Sequence, residues 1–242
     1  MIRFMLFVAV LLSAAHALAA VSLSGTRLIF DGRFSEASLQ VLNRSDHEVL
    51  IQAWLSPADN HEGSPQQSAP DLPFVLTPHL SRLDPKARQA LRILYQGQGM
   101  PQSAESLMHL YVLEIPRTVA GANQLSIAIR QRINVFFRPP GLTDDPLQTP
   151  HRLRWTLANT ALRVSNPTSF HAAIQDVRLG DVVAIDYLLL APGASHEMPV
   201  PASIGAVGLS FQALNDYGGL HRYCAQATGD QSNTTEYRQK DC

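Results

Sequence analysis

The residue types that most often catalyse reactions or hold metals are scattered along this sequence. Its nine histidines form neither an H-x-x-x-H nor an H-E-x-x-H pair, the spacings that bring two imidazoles together for zinc. Ser195 and His196 are adjacent in GASHEM (193–198), but neighbours in sequence need not form a nucleophile–base pair. Asp144 and Asp145 lie in a proline-rich stretch, which is typical of a solvated turn. We therefore predict a protein that is not an enzyme and holds no metal or cofactor.

The first twenty residues, MIRFMLFVAVLLSAAHALAA, have the pattern of a secretory signal peptide. Arg3 precedes an apolar run, 4–15, that is too short to span a bilayer, and Ala17 and Ala19 occupy the small-residue positions of a cleavage site. An N-terminal membrane anchor is the alternative. We predict removal of residues 1–19, export, and no membrane insertion of the mature chain.

The two cysteines, Cys224 and Cys242, predict a disulfide in an exported protein, with two free thiols as the alternative. The 19 Lys and Arg residues nearly balance the 20 Asp and Glu residues. Nucleic acid is thus not an expected partner, because nucleic-acid-binding proteins usually carry a basic surface.

Short apolar runs with turn residues between them predict an all-β protein of two packed antiparallel sheets per domain. The stretch RPPGLTDDPLQTPH (138–151) interrupts them with four prolines and predicts a linker. The predicted boundaries are a signal peptide (1–19), an N-terminal domain (20–140), a linker (141–150), a C-terminal domain (151–228) and a loose polar tail (229–242). No internal repeat is evident.

The stretch NQLSIAIRQRINVFFRPP (123–140) predicts one unusually long strand. Apolar residues at 125, 127, 129, 133 and 135 alternate with polar residues at 126, 130, 132 and 134. Soluble proteins normally blunt a long apolar edge, because such an edge promotes aggregation. The pattern therefore raises the question of why this protein keeps such an edge.

Several motifs, in their order and spacing, resemble the PapD-like periplasmic pilus (fimbrial) chaperones of the chaperone–usher pathway. They are AVSLSGTRLIFDG (20–32), IQAWL (51–55), TPHLSRLDP (77–85), ESLMHLYVLEIPR (105–117), QLSIAIRQRINVFFRP (124–139), LRVSNPT (162–168) and LNDYGG (214–219). The resemblance implies two immunoglobulin-like β-sandwich domains in a boomerang arrangement. It also implies that the protein binds, folds and caps pilus subunits in the periplasm and delivers them to an outer-membrane usher.

In that family the long strand supplies a missing strand to the subunit, which is called donor-strand complementation. The resemblance makes Leu125, Ile127 and Ile129 the donor residues. An uncovered donor edge would aggregate, so we expect self-association or mobile loops to cap it in the free protein.

The resemblance also assigns an anchor for the subunit's C-terminal carboxylate. Arg27 matches the family's anchor arginine, but Asn134 stands where the family usually has a lysine. Arg132, two residues earlier on the same face, is therefore the first candidate for the second anchor, and Asn134 is the next. Glu105, Arg138 and Asp216 match a salt-bridge network between the domains.

The alternative function is a secreted two-domain adhesin or pilus structural subunit. A subunit should carry an N-terminal donor extension, whereas here the first strand begins almost at the predicted cleavage site. A secreted hydrolase, the third class, would need a catalytic constellation that the sequence does not contain.

Overall fold

The computed structural model describes residues 20–59, 72–117, 127–158, 160–201, 207–231, 234–240 and 242, and it is almost entirely β-structure. The strands of the first half are β1 (Val21–Leu23), β2 (Arg27–Asp31), β3 (Glu36–Asn43), β4 (Val49–Pro57), β5 (Phe74–Thr77), β6 (Leu80–Leu83), β7 (Arg88–Tyr95), β8 (Ser106–Pro116) and β9 (Ile129–Arg138). Within the described residues, no helix is long and apolar enough to cross a membrane.

The first domain is a sandwich of two sheets. One sheet has the strand order β1-β3-β7-β5 and the other has the order β2-β9-β8-β4-β6. Strand β9 shows why the pattern folds this way, because Ile133, Val135 and Phe137 point into the core while Arg132 and Asn134 lie on the opposite face. The predicted alternation of this strand is thereby confirmed from Ile129 onwards.

The apolar run at 21–30 forms two strands and not one. Strand β1 pairs with β3 in the first sheet, and β2 pairs in parallel with β9 in the second sheet. Residues 24–26 carry the chain from the first sheet to the second. Strand β2 therefore begins at Arg27, which is paired with Asn134 of β9.

Two short helical turns lie between the domains, a 3₁₀ turn (Pro146–Gln148) and α1 (Thr149–Arg152). The strands that follow are β10 (Arg154–Ala158), β11 (Ala161–Ser165), β12 (Ala172–Leu179), β13 (Val182–Leu190), β14 (Ser195–Pro199), β15 (Leu209–Leu214), β16 (Leu220–Gln231) and β17 (Thr234–Lys240). They form one sheet in the order β13-β12-β15-β16-β17-β10-β11-β14. The outer strands β13 and β14 contact each other, so the sheet closes around a second core.

The prediction of a loose tail at 229–242 is wrong for its described part. Strand β17 pairs with both β16 and β10, so it is an internal strand of the second sheet. The backbone of β17 forms hydrogen-bond ladders with the strands on both sides, and these bonds do not depend on side-chain polarity. Tyr237 of this strand belongs to the second core. The polar composition of this segment therefore led to a wrong prediction of where the C-terminal domain ends.

Each domain contains a buried asparagine whose side-chain amide donates to three backbone carbonyls, an arrangement that we call an asparagine clamp. No repeat in the sequence indicates this similarity. Asn43 is the last residue of β3 and donates to the carbonyls of His47, Leu83 and Asp84. Asn166 follows β11 and donates to the carbonyls of Phe170, Leu190 and Ala191 at 2.7, 3.2 and 3.2 Å. In both clamps the amide oxygen accepts from the residue two positions later, Ser45 or Thr168.

We expect Asn166→Ala to lower the free energy of unfolding by about 2–3 kcal/mol. The substitution would leave buried carbonyls without donors, and each such group costs about 1–3 kcal/mol. Asn215→Ala is the matched control, because Asn215 also closes a turn but is only partly buried. Urea unfolding followed by circular dichroism would measure both, and equal losses would contradict the clamp's role.

Candidate functional site

Arg138, the last residue of β9, joins the two domains through a fork of four hydrogen bonds. Its Nε and Nη2 donate to Glu105 Oε2 at 3.1 and 2.8 Å. Its Nη1 and Nη2 donate to the Asp216 carboxylate at 2.8 and 3.1 Å. Gly32 makes room for this end of β9, because a side chain there would meet the Arg138 carbonyl at 2.9 Å. The structure thus brings together the three residues that the resemblance placed in one network.

Glu105 is also held by a residue that the sequence did not indicate. The Glu105 Oε1 atom accepts from the His171 backbone nitrogen at 3.0 Å and lies 2.9 Å from its Nδ1. Burial opposes the charge of Arg138, but its hydrogen bonds and charge pairing with Asp216 and Glu105 outweigh that effect, so the pKa of Arg138 is raised above its ordinary value.

A cleft of about 460 Å³ lies beside this network, between the two domains. The first domain contributes β2 and β9, the linker contributes its helical turns, and the second domain contributes the loops that carry Phe170 and Asp216. The lining combines apolar rings with charged groups, which is typical of a site for a partly polar ligand.

Arg27 lines this cleft with its charge uncompensated. Its guanidinium carbon lies 5.7 Å from the centre of the Phe136 ring, and no Asp or Glu among the described residues is within ion-pair distance. Burial lowers the pKa of Arg27 below its ordinary value, although the more distant Tyr187, Asp216 and Glu105 partly offset this. A half-buried cation without an anion is prepared to bind one.

The two candidates for the second anchor lie next to Arg27 on the sheet. Asn134 is the cross-strand partner of Arg27 in the parallel pair, so the two side chains share a face of the sheet. Arg132 lies one pleat further along β9, is exposed, and is opposite Tyr111 of β8. Neither residue lines the cleft itself, whereas Arg27 does.

One of the two edges of strand β9 is open over about half of its length in the described part of the chain. Strand β8 pairs with β9 from Ile129 to Phe137, but β2 covers only Asn134–Arg138 on the other side. Among the described residues, no strand pairs with the 129–133 part of that second edge. Backbone donors and acceptors are available there for another chain.

The strand begins later than the sequence predicts. Ile127 and Ala128 precede β9 and are not part of it, and the register of β9 with β8 places Ile127 opposite Pro116, the residue at which β8 ends. Ile127 is 60% exposed and Ile129 is 37% exposed. Leu125 and the predicted signal peptide lie outside the described residues.

Cys224 and Cys242 are bonded to each other, with their Cα atoms 5.1 Å apart. The bond joins Cys242, two residues after β17, to β16, the strand that pairs with β17. The predicted disulfide is confirmed.

Two family models together match most of the chain. Residues 20–143 match the N-terminal domain of PapD, a pili and flagellar-assembly chaperone. Residues 148–225 match the C-terminal domain of the pili assembly chaperone PapD. The first match begins at the residue after the predicted cleavage site.

Individual proteins are similar over most of their length. The probable fimbrial chaperone LpfB of Escherichia coli O157:H7 is 36% identical over 203 residues, which cover 82% of this chain and 84% of LpfB. A solved complex of the Salmonella enterica SafA pilin with the SafB chaperone matches with a TM-score of 0.73 and 27% identity, covering 88% of this chain and 98% of that one. The solved periplasmic chaperone SfaE matches with a TM-score of 0.65 and 30% identity, covering 84% of this chain and 98% of SfaE.

These similarities extend through both immunoglobulin-like domains and establish the two-domain fold expected from the sequence. They favour a chaperone over the alternative of an adhesin or pilus subunit. The chain belongs to the PapD-like family of pilus assembly chaperones, a class of proteins that are not enzymes.

Proposed function

We propose that this protein binds unassembled pilus subunits by donor-strand complementation in the periplasm and delivers them to an outer-membrane usher. The observation that carries the proposal is the open edge of β9 at Ile129–Ile133, which ends beside the uncompensated charge of Arg27. The open strand edge can pair with an extended chain, and the adjacent Arg27 charge can bind the carboxylate at the end of that chain.

The open edge supplies affinity that does not depend on the subunit's sequence. An added strand would form main-chain hydrogen bonds with β9, and β-strand addition between chaperones and pilins is an established mode of recognition. Alternate side chains of the donor segment, Leu125, Ile127 and Ile129, would enter the subunit's open groove. The exposed fractions of Ile127 and Ile129 support this role, because neither is needed for the first core.

The cleft is the place where the C-terminus of the bound subunit would lie. In our proposal Arg27 binds the subunit's C-terminal carboxylate through two parallel N–H donors, and Asn134 or Arg132 provides a further donor. The charge network of Glu105, Arg138 and Asp216 would fix the angle between the domains, and therefore the width of the cleft. An ion network of this kind supports geometry more reliably than it adds net stability.

The periplasmic location rests on three observations. The N-terminal residues have the pattern of a signal peptide, the chain has a disulfide, and SfaE is described as a periplasmic chaperone. In the free protein we propose that self-association or loops cover the open edge.

The substitution Ile127→Asp tests the donor segment. We expect the amount of subunit that co-purifies with the tagged protein from a piliated strain to fall at least about tenfold, because a carboxylate buried in an apolar groove costs several kcal/mol. The protein itself should remain folded, since Ile127 is 60% exposed. Mass spectrometry would identify and quantify the subunit.

Phe34→Asp is the matched control, because Phe34 is 62% exposed but lies in the turn after β2, away from the open edge. It should leave the recovered amount unchanged. If both substitutions reduced recovery equally, or neither did, the β9 edge would not be the working surface.

A further inference from the structure

Glu114 is a buried carboxyl group that the chaperone function leaves unexplained. It lies near the end of β8 and is only 4% exposed. Burial raises the pKa of Glu114 above its ordinary value, with a backbone hydrogen bond from Val21 acting in the opposite direction. Glutamate is rarely buried to this extent unless it is paired.

The described residues around Glu114 place no cation within ion-pair distance of its carboxylate. Its Oε2 atom accepts a hydrogen bond from the Val21 backbone nitrogen at 3.1 Å, and no Lys, Arg or His among the described residues forms an ion pair with it. Two other acidic residues line the same cavity, and each of them has a basic partner: Asp46 pairs with Lys86, and Glu48 pairs with Arg82 and Arg117.

The start of the described chain is fixed against this carboxylate. The Ala20 carbonyl accepts from the Arg44 nitrogen at 2.5 Å, and the Val21 carbonyl accepts from Gln131 Nε2 at 3.1 Å. Val21 is 1% exposed and belongs to the first core. The Ala20 nitrogen is three backbone bonds from the Val21 nitrogen, a span of less than about 4 Å. It therefore lies within about 7 Å of the Glu114 Oε2 atom, and Ala20 lines the same cavity as Glu114.

We propose that Glu114 is the docking site for the α-ammonium group that signal-peptide cleavage creates on Ala20. Hydrolysis of the Ala19–Ala20 bond consumes one water molecule. Its oxygen goes to the Ala19 carboxylate of the released peptide, and its two hydrogens complete the ammonium on Ala20. In the precursor the same nitrogen is an uncharged amide, so the buried carboxylate gains its counter-ion only on processing.

The position of the family match supports the cleavage site that this inference needs. The N-terminal family model begins at residue 20, and β1 begins at Val21. The new ion pair would hold β1 against β3 and β8, four residues before β2 begins with Arg27. Processing would thereby fix β1, the strand that leads into β2 and its anchor Arg27.

The proposal sets a pH dependence with a definite sign. The ammonium would face Glu114, with Asp46, His47, Glu48 and Arg117 lining the same cavity. An ordinary α-amino group has a pKa of about 7.7–8.0, and the adjacent carboxylate would raise it in the folded protein. The stabilisation is then present below about pH 7.5 as long as Glu114 is ionised, and it is lost as the pH rises through the raised α-amino value. It is also lost as the pH falls through the pKa of Glu114, because a protonated carboxyl group cannot pair with the ammonium.

The test is a double-mutant cycle on the exported, signal-cleaved protein. One chain begins at Ala20, the other carries two extra residues, Gly-Ser, before Ala20, and each is made with and without Glu114→Gln. Glutamine keeps the acceptor for Val21 but removes the charge. At pH 7 we expect Glu114→Gln to lower the Tm by about 3–6 °C in the chain that begins at Ala20, and not to lower it in the extended chain.

Glu48→Gln is the control, because Glu48 lines the same cavity but already has two arginine partners. Its effect should be the same in both chains. A second readout is the α-amino pKa measured by NMR, which should lie above about 8 and return to that value with Glu114→Gln. Equal Tm changes from Glu114→Gln in both chains, or an ordinary α-amino pKa, would overturn the proposal.

Discussion

Replacing Arg138 with alanine is expected to lower the free energy of unfolding by about 3–5 kcal/mol. The substitution would leave two carboxylates without their cation, and the Glu105 side chain is only 3% exposed. His171 would still contact Glu105, but the four hydrogen bonds of the guanidinium fork would be lost. Chemical denaturation of the isolated protein measures this loss directly.

The matched control is Arg163→Ala, which removes an exposed arginine that pairs with Glu197 across β11 and β14. Exposed pairs contribute about 0–1 kcal/mol, so the control should change stability little. Equal losses from the two substitutions would show that the buried network does not hold the domains. A variant with Arg138→Met, Glu105→Gln and Asp216→Asn together should recover part of the stability, because the cost arises from the two unpaired charges and glutamine keeps an acceptor for the His171 nitrogen.

The sequence predicted most of the strands, because alternation is a local property. Ile133 and Val135 alternate with Arg132 and Asn134 along β9, and the structure places the two sets on opposite faces. The motif resemblance added the positions of Glu105, Arg138 and Asp216, which lie up to 111 residues apart in sequence numbering (216 − 105) and could not be brought together by periodicity.

Other parts of the site depend on which strands become neighbours, and alternation does not determine that. His171 contacts Glu105 because the second domain packs against the loop before β8, and no pattern around His171 signals it. The open half of the β9 edge follows from the short length of β2, which covers only Asn134–Arg138. The tail was assigned by its polarity, whereas strand β17 is held in place by ladders on both of its edges.

Substitution of Arg27 should weaken subunit binding without lowering stability, whereas substitution of Arg138 should lower stability, although both are half-buried arginines beside the same cleft. Arg138 has two carboxylate partners, whereas Arg27 has none among the described residues, and burial lowers the pKa of Arg27. We therefore expect Arg27→Ala to leave the Tm unchanged or slightly raised. In our proposal it removes the partner of a buried carboxylate in the complex, so subunit affinity should fall by about 2–5 kcal/mol, or about 30-fold or more.

Co-purification of the subunit from the periplasm of a piliated strain, followed by titration of the recovered complex, would measure this effect. Arg27→Lys should restore the charge but not the two parallel donors, and so recover only part of the affinity. Asn134→Lys, which introduces the family's usual lysine beside Arg27, should strengthen binding, because a second cation would face the same carboxylate. If Arg27→Ala lowered the Tm as Arg138→Ala does and left subunit recovery intact, Arg27 would be a structural residue and the anchor would not lie on β2.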